Sequence, residues 1–397
     1  MRSMAELIGI EEARGRVLNA VSPLPAEAVP LPGTLGRVLA EELVAELDVP
    51  PFRNSAMDGY ALVAGEGGQL PVVGESRAGH PFEGTLAPGA AVRISTGAPL
   101  PAGADAVVPV ERAEAADGVV TVPPTRPQAN VRLAGEDVRA GQPVLGPGVV
   151  LGPAELGMAA SLGRAELRCA VRPRLALLVT GDELAEPGEP LAPGRIYSSN
   201  GWALAAQAER AGAQLVLRET VRDSAEGTRA ALERALAAAD VVCVSGGVSV
   251  GEHDHVKGAL AELGAEQRFW GVALKPGKPT WFGARGKVLG FGLPGNPVSA
   301  MVTFQLFVRP ALLALQGAAP GAVRTSAVLA QPVVMSNARE QALRVCLDPA
   351  EAGWRAVLTG AQGSHRLSSM LGADALALIP AGEGELGAGE RVTVELL

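Results

Sequence analysis

Between residues 175 and 316, short apolar runs alternate with longer stretches whose apolar positions recur at helical spacing. Leu175–Val179, Gln214–Arg218, Val241–Val244 and Val288–Phe291 read as strands. Gly201–Ala211, Ala225–Ala239, Asp254–Leu263 and Val298–Leu315 read as helices. Strand–helix alternation of this kind predicts a mainly parallel sheet covered by helices on both faces. Ligands of such sheets bind beyond the carboxyl ends of the strands.

The flanking regions follow other patterns. Ile10–Val21 and Leu35–Leu47 have apolar positions near helical spacing, and Pro23, Pro25, Pro30 and Pro32 separate them. From Asn54 to Pro124 the apolar runs shorten to Ala61–Val63, Ala91–Ile94, Ala106–Val110 and Gly118–Val122, divided by Gly and Pro turns. This predicts a small β domain. Pro153–Met158 is a helix start, so the β segment reads as an insertion in a helical domain. After Ala322 the pattern returns to short strands, at Ala327–Val334, Ala342–Leu347, Ala356–Leu358, Ala375–Ile379 and Arg391–Leu396, a compact barrel or sandwich.

Composition narrows the function classes. A chain of 397 residues exceeds one ordinary core, so two to four domains are expected. The 34 basic and 42 acidic residues leave a net charge of −8, which argues against a nucleic-acid partner. An anionic ligand must then be met by a local cationic pocket. Cys169, Cys243 and Cys346 lie in separate apolar runs and read as buried thiols of a reducing compartment. No N-terminal signal and no apolar run of spanning length is read, so a cytoplasmic protein without a membrane partner is expected.

Three strand ends carry unusual loops. Leu175–Val179 runs into Thr180–Leu184, Val241–Val244 into Ser245–Asp254, and Val288–Phe291 into Gly292–Pro297, with Ser299 in the next helical turn. The glycine-rich turn Ser245-Gly246-Gly247 can aim backbone N–H groups at a phosphate. Glu252 and Asp254 in the same loop would repel a bare phosphate, which suggests a metal ion between protein and ligand. Three such loops on one sheet edge predict a binding crevice. Lys275-Pro276-Gly277-Lys278-Pro279 holds two cations on a constrained turn and supplies the charge an oxyanion needs. His253 and His255 are alternate residues and do not share a helix face, so no zinc site is expected from them.

Seven segments together resemble the molybdopterin molybdenumtransferase family (MoeA and the E domain of gephyrin). They are Pro50–Tyr60 (PPFRNSAMDGY), Ser95–Pro101 (STGAPLP), Gly135-Glu136-Asp137, Thr180–Leu184 (TGDEL), Ser245–Asp254 (SGGVSVGEHD), Lys275–Pro279 (KPGKP) and Gly292–Ala300 (GLPGNPVSA). The resemblance implies four parts: a discontinuous helical linker (1–50 and 138–172), an inserted β domain (51–137), a molybdopterin-binding α/β domain (173–318) and a C-terminal β-barrel (319–397). It implies an elongated homodimer with the site shared between subunits. The implied reaction takes adenylylated molybdopterin and molybdate, inserts molybdenum with the help of Mg²⁺ and releases AMP. A molybdopterin adenylyltransferase is an implied further partner. Two other functions stay open at this point, a molybdopterin adenylyltransferase, suggested by the α/β domain alone, and a gephyrin-like scaffold without catalysis.

Carried onto this chain, Glu183, Asp223 and Asp254 would handle the metal, nucleotide or pterin, with Asp254 and Glu183 as metal ligands. Gly246, Gly247 and Ser249 would contact pterin or phosphate, and Pro294, Asn296 and Ser299 would extend that wall. Lys275 and Lys278 would hold molybdate or neutralise the pyrophosphate. Arg344, together with Ser369 or its neighbour Ser368, would help bind molybdate, although Ala342 stands where the family often has an aromatic residue. Asp58, Thr96 and Asp137 of the partner subunit would complete the site.

Overall fold

A computed structural model describes residues 7–248, 255–351 and 353–397. The chain divides into two compact units. The larger takes the chain up to Glu27, Gly36–Ala40 and Arg168–Leu397; the smaller takes Ala28–Leu35 and Glu41–Leu167. Helix α1 (Ile10–Leu18) opens the larger unit, and its buried stripe of Ile10, Ala13 and Val17 joins the same core as Leu312 and Leu315.

The smaller unit is built on a six-stranded sheet. Its strands are β1 (Gly59–Leu62), β2 (Gly68–Ser76), β3 (Ala91–Ile94), β4 (Ala106–Pro109), β5 (Glu114–Ala116) and β6 (Val119–Val122), in the order β4-β1-β3-β2-β6-β5. Period-two alternation sorts the side chains of β1: Tyr60 and Leu62 enter one cluster with Val108 and Val120, while Ala61 enters another with Val92 and Ile94. Helix α2 (Pro153–Ser161) begins with Pro153 at its first turn, where a missing N–H costs nothing.

The helix expected over Leu35–Leu47 does not form. Leu43 and Ala45 are buried at a spacing of two, and Leu43–Val44 pairs antiparallel with Pro143–Leu145. Leu35 and Leu47, the ends of the expected apolar stripe, are exposed. Gly36, at φ 72°, also breaks any helical path through this segment.

In the larger unit, strands β7 (Arg174–Thr180), β8 (Gln214–Val221), β9 (Val241–Ser245), β10 (Glu266–Trp270), β11 (Trp281–Arg285) and β12 (Val288–Leu293) form one sheet in the order β8-β7-β9-β12-β11-β10. The first four are parallel; β11 and β10 are antiparallel additions at one edge. Alternate residues of β7 serve opposite faces. Leu175, Leu177 and Val179 pack with α3 (Asn200–Arg210), whereas Ala176 and Leu178 pack with α4 (Ala225–Ala238) and α5 (Val256–Glu262). The glycines of β11 and β12 make room for Trp281: a Cβ on Gly283 would lie 2.5 Å from its ring, and one on Gly290 3.1 Å.

Helix α6 (Pro297–Thr303), a π-turn at Phe304–Val308 and α7 (Arg309–Leu315) form one apolar run. Pro297–Leu315 is long and apolar enough to cross a membrane by length and composition, but it is mostly buried in the core of this unit.

The C-terminal strands β13 (Arg324–Leu329), β14 (Glu340–Ala350), β15 (Gly353–Leu358), β16 (Ala375–Ile379) and β17 (Arg391–Leu396) close into a five-stranded barrel, β14-β15-β13-β17-β16 and back to β14. Its interior holds Leu329, Leu343, Val345, Ile379 and Val394. The buried carboxylate of Glu395 takes two bonds from the Arg14 guanidinium, at 2.7 and 2.6 Å, and others from Arg324, which also pairs with Glu11. Cys169 and Cys243 are buried as expected, but Cys346 is only half-buried, with Sγ 3.0 Å from the Gly372 carbonyl.

Candidate functional site at the ends of three parallel strands

The adjacent strands β7, β9 and β12 end at Thr180, Ser245 and Leu293 on one edge of the sheet. Just beyond them lies a cavity of about 260 Å³, lined by Thr180, Glu183, Asp223, Gly246, Gly247 and Pro294 among others. A second cavity of about 580 Å³ shares Thr180, Glu183, Pro279, Pro294 and Gly295 and extends to Tyr197, Asn200, Asn296 and His365.

The glycines of the turn are required by its geometry. Gly246 and Gly247 have φ values of 97° and 64°, where a side chain is disfavoured. A Cβ on Gly246 would lie 2.7 Å from Thr180 Oγ1 and 2.8 Å from the Thr180 carbonyl oxygen. Thr180 Oγ1 itself is buried and without a hydrogen-bond partner among the described residues. A hydroxyl in that state is a ready donor or acceptor for a ligand. Across the cavity, Glu183 folds over Gly181, and the Asp223 N–H donates to Asp182 Oδ1 at 3.3 Å.

Asn200 ties two of the loops together. Its Nδ2 donates to Ser245 Oγ at 2.9 Å and to the Gly295 carbonyl at 2.8 Å, and Ser245 Oγ donates to the Pro294 carbonyl at 3.1 Å. Asn296 Nδ2 donates to Ser364 Oγ at 3.1 Å, which fastens the third loop to the barrel segment that carries His365.

The family model for the MoeA N-terminal region (domain I and II) matches residues 8–163. A model described as "Probable molybdopterin binding domain" matches residues 176–314, and that for the MoeA C-terminal region (domain IV) matches residues 326–397. The chain is 37% identical to the molybdopterin molybdenumtransferase of Haemophilus influenzae, over 98% of each chain. It is 39% identical to molybdopterin molybdenumtransferase 2 of Mycobacterium tuberculosis, over 99% of each. This chain belongs to the MoeA family of molybdopterin molybdenumtransferases. The crystal structure of the molybdopterin biosynthesis MoeA protein of Pyrococcus horikoshii matches it with a TM-score of 0.84 at 30% identity, covering 99% of this chain and 100% of that one.

Among the residues expected from the MoeA resemblance, Glu183, Asp223, Gly246, Gly247 and Pro294 line one cavity, and Asn296 lines the adjoining one. Ser299 is buried in the first turn of α6. Lys275 and Lys278 are exposed, and the residue of their turn that reaches both cavities is Pro279. Ser249 and Asp254, with Glu252 and His253, lie outside the described residues. Among the described residues no group of three His, Cys, Asp or Glu side chains could hold a metal ion.

Arg344 and Ser369 meet inside the fold. The guanidinium donates through Nε and Nη2 to Ser369 Oγ, at 3.1 and 3.0 Å, while Ser368 is exposed. Arg344 is fully buried, and burial pulls its pKa down to about 10. In the smaller unit, Asp58 Oδ1 accepts from the Thr96 N–H at 2.6 Å and from Thr96 Oγ1 at 3.0 Å. These two bonds hold the exposed Asp58 carboxyl below its usual range. Asp137, also in the smaller unit, is exposed, and its N–H donates to the Val49 carbonyl at 3.0 Å.

Sequence reasoning missed Asn200, Tyr197 and His365. The polar run Ser198-Ser199-Asn200 before a helix was a signal for the first. The others reach the crevice through folding alone.

Proposed function

We propose that this chain transfers molybdenum from molybdate to adenylylated molybdopterin, with release of AMP. The observation that carries the reading is the crevice wall, where a Thr180 hydroxyl with no partner among the described residues stands over the Gly246–Gly247 turn. A phosphate seated there would receive the threonine hydroxyl and backbone N–H groups, donors fixed in place before the ligand arrives. Two contiguous cavities of about 260 and 580 Å³ suit a ligand with two bulky ends joined by phosphates. The names of the curated relatives support the same transfer.

Glu183 and Asp223 face the turn, and neither pairs with a basic side chain among the described residues. Oxygen donors of this kind, a few per ion and beside a phosphate, fit Mg²⁺. Glu183 would hold Mg²⁺ with Asp254, and Asp223 would stand beside it. Bound there, Mg²⁺ supplies neutralisation of charge on the phosphoanhydride. Lys275 and Lys278, exposed on their turn, would draw molybdate or the pyrophosphate toward the crevice. Arg344, with Ser369 as its partner, would serve as the buried cationic end of a molybdate site. Ser249 and Ser299 complete the set assigned to pterin and phosphate.

The reading includes a cytoplasmic homodimer. Asp58, Thr96 and Asp137 of the partner subunit would close the site, and the Asp58–Thr96 pair is already formed within its own unit. A molybdopterin adenylyltransferase would supply the substrate.

The test uses purified protein, adenylylated molybdopterin, molybdate and Mg²⁺. AMP release and active cofactor are expected, without consumption of ATP. Lys278→Ala and Glu183→Gln should each lose most of this activity; full activity in both would rule out the crevice as the reaction site.

A further inference from the structure

The chain that forms the glycine turn is held from behind by a tryptophan that lines neither cavity. Trp270, the last residue of β10, donates its indole N–H to the Val248 carbonyl at 3.0 Å. Val248 lines the smaller cavity directly after Gly246 and Gly247. The same indole ring carries the Lys257 ammonium over its face, 4.5 Å from the centroid. Lys257 lies in α5, so one side chain grips the backbone before residues 249–254 and the helix after them.

We propose that Trp270 is a positioning residue for the phosphate-binding turn, a role that rests on the function proposed above. Gly246 and Gly247 lack the Cβ that restricts φ, and although the Gly246 N–H donates to the Leu293 carbonyl at 3.0 Å, no side chain fixes the peptide planes that follow it. Something else must keep the carbonyls that follow from turning into the cavity. The cavity already holds the carboxylates of Glu183 and Asp223, and a carbonyl oxygen pointed inward would add a further negative dipole end where an anion has to sit. The Trp270 N–H draws the Val248 carbonyl toward a residue outside the cavity. Packing secures the arrangement: Val248 is buried, and Gly292 leaves space for it, since a Cβ there would lie 2.6 Å from Val248 Cγ1. Trp270 is itself fixed by its position directly opposite Trp281, whose indole donates to Gln267 Oε1 at 3.0 Å.

Trp270→Phe keeps the aromatic ring and its contact with Lys257 but removes the N–H. Trp270→His restores an N–H donor at nearly the same reach. AMP is the probe, measured by calorimetric titration, beside the KM and kcat of AMP release and hydrogen exchange of the peptide 243–248. Trp270→Phe should bind AMP about three- to tenfold more weakly, the range expected for one hydrogen bond. KM should rise with kcat unchanged, and the peptide should exchange faster with or without AMP. Trp270→His should recover most of both effects. Wild-type affinity and exchange in Trp270→Phe would overturn the proposal, as would equal loss in both variants, which would assign the effect to ring volume. If the wild type binds no AMP, the proposed function fails by itself, and the exchange of peptide 243–248 still decides whether Trp270 positions the turn.

Discussion

Arg344→Met takes a positive charge from the buried outer face of β14. Leu343 and Val345 point into the barrel, whereas Arg344 faces the other way, toward Ser369. Among the described residues its side chain bonds the Ser369 hydroxyl and, at 3.4 Å, the Ala342 carbonyl, and no carboxylate offsets its burial. A pKa pulled down to about 10 corresponds to a cost on the order of 3 kcal/mol at neutral pH. Methionine fills similar space without a charge, and Ser369 Oγ keeps its bond to the Arg366 carbonyl at 2.7 Å. After about 1 kcal/mol for the lost hydrogen bonds, Arg344→Met should be more stable than the parent by about 2 kcal/mol at pH 7. The pH dependence has a definite sign. A base whose folded-state pKa is depressed is penalised wherever it is charged, so the advantage of the variant is constant below pH 10 and narrows as pH rises through about 10. Urea unfolding of both proteins between pH 7 and pH 11 gives the difference, while AMP release at saturating molybdate should be nearly abolished. A variant less stable at pH 7, or an advantage that does not narrow in alkali, would refute the account of Arg344 as a charge retained for its ligand.

Gly246→Ala sets a Cβ against Thr180 at a positive φ and should cost about 2–4 kcal/mol in urea unfolding, with AMP binding lost; unchanged stability would mean that the turn relaxes. Glu395→Gln should cost about 3 kcal/mol at pH 7 by leaving Arg14 without its buried partner. Burial alone would raise the Glu395 pKa, but the bonds and charges of Arg14 and Arg324 outweigh it and hold the pKa down. The stabilisation is therefore present above the usual carboxylate range and lost as pH falls through the lowered value, so the difference between the two proteins should shrink below about pH 4. If the proposed homodimer shares its sites, Asp58→Ala and Lys278→Ala should each be inactive alone, yet an equal mixture refolded together should regain about a quarter of parental AMP release, because half the dimers would carry one intact site of two. No recovery on mixing would place Asp58 and Lys278 in the same subunit's site.

The parts of the fold that were legible in the sequence are those where burial is local and continuous. Val241–Val244 could only be a strand covered on both faces, and the loops after it and its two neighbours had to share an edge. The antiparallel strands Glu266–Trp270 and Trp281–Arg285 were not legible, because their packing centres on Trp281, lodged in space left by Gly283 and Gly290. Leu35–Leu47 misled because spacings of four and of two both fit its apolar residues, and pairing with Pro143–Leu145 chose between them. At the site, Gly246, Glu183 and Pro294 stand on motifs and were readable. Asn200 was only hinted at by its polar run before a helix, since its role depends on reaching Ser245 and Gly295 across the crevice. Arg344 drew attention by resemblance; that it is buried without a carboxylate is visible only in three dimensions.

The bond between Arg14 and Glu395 joins residues 381 positions apart. During synthesis the helix at residues 10–18 must wait for β17 before its arginine finds a carboxylate, roughly 20–80 s at ordinary elongation rates. The smaller unit is not subject to that delay, because all of its segments have left the ribosome once residue 167 and the tunnel length beyond it are made. The inserted domain can therefore be complete while the domain that surrounds it in sequence is still open, and a stalled or truncated chain would display a finished insert on an unfinished host.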